Sequence, residues 1–150
     1  MILGKGEWLG SGSLIVEGAS LGTNVDITLS VTEDEGGMTL DGSIGGDHSG
    51  LVSIRIAPDE VGTYIIDARL AGLALDGRGK LESEPHLALF WNEAQTQGAS
   101  VSLFRTGAGV GCRGFWQENA KTYTWEILFK LKQQVVGGGN VVSLANRRRG

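Results

Sequence analysis

Val25-Asp26-Ile27-Thr28-Leu29-Ser30-Val31-Thr32 alternates apolar and polar residues without a break, and its reading decides the fold class. Successive side chains of a β-strand point to opposite faces. A strict period of two therefore puts Val25, Ile27, Leu29 and Val31 on one buried face. Glu33-Asp34-Glu35-Gly36-Gly37 then has the composition of a turn. Met38, Leu40, Gly42 and Ile44 resume an apolar face, with Thr39, Asp41 and Ser43 opposite. The two runs predict a hairpin with a glycine-bearing loop.

The same rhythm runs outward in both directions. A first strand is expected around Trp8 to Glu17. Further strands are expected at Val52-Ile54-Ile56, at Tyr64-Ile66-Ala68-Leu70 with Ile65 out of step, at Leu73 to Leu81 and at Leu87 to Trp91. Val101-Leu103, Cys112 to Gln117 and a long last run, Tyr123-Trp125-Ile127-Phe129-Leu131, complete the series. This makes about ten strands with no helical period between them. The connections are too short for parallel crossovers, which need a dozen residues or more. An open meander of this length leaves two unpaired edges, and closure removes them. The expected fold is all-β, an antiparallel up-and-down β-barrel of about ten strands, with a two-sheet β-sandwich as the alternative.

Glycine supports closure. The chain has 150 residues, of which 25 are Gly and only 2 Pro. Collagen is excluded because no three-residue glycine period is present. Low-complexity disorder is excluded because 41% of residues are hydrophobic and the formal net charge is only −4. Gly10, Gly12, Gly42, Gly77, Gly79, Gly111 and Gly114 fall inside expected strands, where glycine relieves the bending that a barrel requires. Residues 1–134 are expected to form one barrel domain. Residues 135–150, with Gly137-Gly138-Gly139 and Arg147-Arg148-Arg149, read as a Gly-rich, basic tail.

A mildly acidic chain is not expected to bind nucleic acid. No apolar run is long enough for a membrane-spanning helix. The start of the chain lacks the basic and apolar regions of a secretory signal, and the lone Cys112 cannot form an internal disulfide. A cytoplasmic location is the expectation.

Gly6-Glu7-Trp8-Leu9-Gly10-Ser11-Gly12 at the start of a β-meander resembles the calycin superfamily, which includes lipocalins, fatty-acid-binding proteins and avidins. The Gly-x-Trp-x-Gly-x-Gly form is most similar to the bacterial fatty-acid-binding-like and nitrobindin-like branch, whose barrels have ten strands. The resemblance implies that Trp8 closes one end of the barrel beneath a basic side chain from late in the chain, with Lys130, Lys132 and Arg147 as candidates. It also implies an interior ligand. Nitrobindin-like proteins hold haem through a late histidine. Here nothing after His86 is a histidine, so no cofactor is expected.

The remaining chemistry is sparse. His48 and His86 have no metal-ligand spacing around them, so no metal site is expected. Ser11, Ser13 and Ser49 lie in no nucleophile elbow. Gly107-x-Gly109-x-Gly111 opens no helix and reads as a hairpin turn rather than a phosphate loop. Cys112 reads as a small core residue. No catalytic residue is assigned. The expected function is non-catalytic binding of a small hydrophobic or amphipathic molecule inside the barrel, lined or oriented by Tyr64, Trp91, Arg105, Arg113, Tyr123 and Trp125. Arg105 shares a face with Val101 and Leu103, and Arg113 with Phe115. Both are therefore candidates to point inward, where each needs Glu118, Asp67 or a ligand carboxylate as partner. One alternative is a homodimeric interaction barrel with a filled core, using Phe90 at its interface. A barrel isomerase or cyclase ranks third.

Overall fold

The computed structural model describes residues 1–132. The tail at 135–150, including Arg147, lies outside the described residues. Ten strands follow one another: β1 (Gly6–Val16), β2 (Thr23–Asp34), β3 (Gly37–Gly46), β4 (Gly50–Pro58) and β5 (Tyr64–Leu70), then β6 (Leu73–Lys80), β7 (His86–Trp91), β8 (Gln97–Arg105), β9 (Val110–Glu118) and β10 (Lys121–Leu131). Among the described residues there is no helix.

Each strand pairs antiparallel with its neighbours in sequence, and β10 returns to β1 to close the barrel. The seam runs from Trp8 opposite Leu131 to Val16 opposite Tyr123. Closure excludes the sandwich alternative, because none of the ten strands is left at an edge. The connections are tight. Between β5 and β6 the turn residues Ala71 and Gly72 both take positive φ, at 51° and 87°, the requirement of a hairpin turn that matches strand twist.

Alternation assigns the two faces as the sequence predicts for β2. Val25, Leu29 and Val31 are buried, while Asp26, Thr28 and Thr32 are exposed. The apolar faces of all ten strands converge on one core that includes Leu40, Val52, Ile56, Ile66, Leu103 and Phe129. A transmembrane barrel has the opposite arrangement, with an apolar outer band.

The in-strand glycines divide into two kinds. At Gly12 and Gly42 an added Cβ would run into a backbone carbonyl oxygen of the adjacent strand, Glu126 and Thr28 respectively. Here only glycine permits the close approach of two bent strands. Others face an aromatic ring directly across the ladder, and two of these, Gly77 and Gly114, also lie against a carbonyl oxygen, that of Leu89 and of Ser100 respectively. Gly10 pairs with Phe129, Gly77 with Phe90, Gly111 with Phe104 and Gly114 with Trp125. A methyl group at Gly10 would stand 2.6 Å from Phe129 Cε1, and one at Gly114 would stand 2.6 Å from Trp125 Cζ2. The rings therefore pack over glycine α-carbons.

Candidate functional site

The barrel interior is not filled. It holds a cavity of about 310 Å³, within the range of small-molecule sites. Its wall is almost wholly aliphatic and aromatic, with Leu14, Ile27, Ile44, Ile54, Phe90 and Trp125 among its residues. Among the described residues, no Lys, Arg, Asp or Glu lines it; the lining residues that carry a polar side-chain atom are His48, His86, Cys112, Trp116 and Trp125.

The end from which β1 starts is covered by the leading segment. Leu3 is buried, and Met1 and Leu3 both reach the cavity wall. Trp8 is buried, and its Nε1 donates to the Gly4 carbonyl at 2.8 Å, which ties this segment down. Of the basic residues proposed to cover Trp8, Lys130 borders a surface groove with it, together with Arg105. The backbone N–H of Lys132 donates to the Glu7 carbonyl at 2.7 Å.

At the opposite end His48 projects from the β3–β4 loop. It is exposed, touches the cavity and meets Tyr123 edge to face at 6.2 Å between ring centroids. Tyr123 thus supports His48 rather than forming the wall itself. Trp125 does form wall, as does Trp116, whose neighbour Phe115 points outward and is exposed.

His86 is the most distinctive wall residue. It is the one buried polar residue of the described core, 4% exposed, and its Nδ1 has no hydrogen-bond partner. Its position at the start of β7 puts it on the inner face with Ala88 and Phe90. Burial holds its pKa below the usual histidine value, and the charge of the amino terminus acts in the same direction. Burial also pushes the Cys112 thiol up to about 11, which keeps this core residue in its protonated form at neutral pH.

Other expected positions require correction. Arg113 does not point inward. It sits opposite Glu126 on the outer face, its Nε donates to Glu126 Oε2, and its guanidinium lies 5.5 Å from the Phe104 ring centre. The reason is register: Cys112, Gly114 and Trp116 take the inner face of β9, which leaves Arg113 and Phe115 outside. Arg105 has the parity of the inner residues Val101 and Leu103. It is the last residue of β8, however, so its side chain emerges at the rim and pairs with Glu84 at 3.5 Å. Neither arginine uses Glu118 or Asp67.

Phe90 faces the lumen, so the outward apolar side of β7 is carried by Leu89, 58% exposed, and by Leu87, which is 50% exposed and also borders the cavity. Trp91 lies in a separate polar surface groove with Gln95, Gln97 and Gln117. Tyr64 packs at the edge of the core, and its hydroxyl donates to Glu82 at 3.1 Å. Burial and the Glu82 carboxylate both raise its pKa.

Fold and cavity together define a closed ten-stranded antiparallel barrel with an apolar lumen. No family model matches the chain, and no curated protein or solved structure is significantly similar to it.

Proposed function

We propose that this chain is a non-catalytic barrel that binds one small hydrophobic or amphipathic molecule in its interior. The observation that carries this reading is the apolar cavity of about 310 Å³. Unfilled apolar volume costs roughly 20–30 cal/mol per Å³, so an empty lumen of this size forgoes several kcal/mol that a bound molecule restores. The closed up-and-down architecture is in keeping with a calycin-like binder, and the unpaired Cys112 with a cytoplasmic one. Native mass spectrometry of freshly purified protein tests the reading. The expected result is an added mass from a co-purified small molecule, lost on denaturation. A clean apo mass, together with no uptake of naphthalene, refutes it.

A second reading is favoured by one observation. Leu89 and Phe115 lie in one row of the outer face across Ser100, both are exposed, and Leu87 adjoins them. Such a patch supports a homodimer, and sedimentation decides it.

A further inference from the structure

The chemistry of the wall restricts what the lumen accepts. No lysine or arginine of the described residues stands on it, and Arg105 and Arg113 are engaged with carboxylates outside. A carboxylate or phosphate drawn into this cavity would lose its hydration against an apolar wall with no cationic side chain, the positive charge near the wall being the amino terminus at the covered end, and burying an ion that is not closely paired is strongly unfavourable. A pure hydrocarbon, in turn, leaves Nδ1 of the buried His86 without a partner, and an unmade hydrogen bond at a buried polar group is costly.

We propose that the cavity takes an uncharged, largely apolar molecule bearing one hydrogen-bonding group, such as an alcohol, phenol or ketone, and that His86 is the residue that orients it. This inference rests on the ligand-binding reading above and narrows it to a chemical class. Neutral imidazole has one N–H donor and one acceptor nitrogen, so it serves either a hydroxyl or a carbonyl. Three charges act on His86: the amino terminus, Glu84 and Arg105. Glu84 and Arg105 pair with each other at 3.5 Å. Burial, which disfavours imidazolium, is the largest influence on the ring. The cavity has about twice the volume of an engineered apolar cavity that admits benzene. A fused two-ring molecule is therefore a suitable probe.

The test compares 2-naphthol, naphthalene-2-carboxylate and naphthalene at neutral pH, where the phenol is neutral and the carboxylate ionised. Binding is followed by calorimetry and by the emission of Trp116 and Trp125. Naphthol is expected to bind at least about tenfold more tightly than the carboxylate and about fivefold more tightly than naphthalene. His86→Leu is expected to reduce naphthol to the level of naphthalene while leaving naphthalene unchanged. His86→Gln is expected to keep some of the difference. If the Leu variant does not fold, the Gln variant and the three-ligand comparison still decide. The proposal is overturned if the carboxylate binds as tightly as naphthol, or if naphthol shows no advantage over naphthalene. Failure of all three to bind removes the ligand-binding reading itself.

Discussion

His86 sets a stability term that the rest of the core does not. Its ring is buried and its Nδ1 has no partner, so the folded protein resists protonating it, whereas the unfolded chain accepts the proton near the ordinary value of 6.5. The unfolded state therefore binds more protons as pH falls through that value, and folding free energy declines. Urea denaturation from neutral pH to about pH 5 is expected to show this loss in the wild type and a smaller loss in His86→Leu. Equal slopes would mean that the ring is not sealed as described. The Asp34–Arg55 pair contributes in a lower window. Arg55 and a bond from the Gly36 backbone hold the Asp34 carboxyl at about 2 against an ordinary 3.8, so its contribution is present above 3.8 and lost as pH falls toward 2. Alternation in the sequence already groups His86 with Ala88 and Phe90. Which side of β7 faces the lumen is a property of the closed barrel, and the sequence of β7, apolar on both sides, does not carry it.

Strands were legible wherever one face is polar. β2 could be read residue by residue, because Asp26, Thr28 and Ser30 mark the outside. β9 could not: Arg113, Phe115 and Trp116 offer large side chains to both faces, and only the Arg113–Glu126 register across β10 settles the choice. The in-strand glycines were legible as bending positions, but their cross-strand rings were not, since pairing is not local. The two kinds of glycine predict different penalties. Gly42→Ala sets a methyl group against the backbone oxygen of Thr28 and must push the β2 and β3 backbones apart, at a cost of ~3 kcal/mol or more. Gly10→Ala meets side-chain atoms of Phe129 and Ile127, which can move, at a cost of ~1 kcal/mol. Urea denaturation of both variants measures this difference, and equal losses would contradict it.

On the scale of the whole molecule, a barrel without edges has few ways to associate, since strand addition is closed to it. Association must use side chains on the outer surface, and Leu87, Leu89 and Phe115 are the exposed apolar residues of β7 and β9. If the protein is a dimer by sedimentation velocity over a wide concentration range, Leu89→Asp is expected to yield monomers. Phe90→Asp is not expected to act on the interface, because Phe90 faces the lumen; it should impair folding or ligand uptake instead. A wild type that stays monomeric throughout removes the dimer reading and leaves the lumen as the functional element.

The pairing of glycines with rings has one further consequence. Where a ring folds over a neighbour that has no side chain, the bore is set by how far that ring is allowed to recline. Gly10 is the recess into which the Phe129 panel closes, whereas at Gly77 and Gly114 the carbonyl oxygens of Leu89 and Ser100 also bar a methyl group. Filling the Gly10 recess swings its panel into the passage and leaves the frame standing. Selectivity for the girth of a guest molecule is thus adjustable by one methyl group, at a position that never touches the guest.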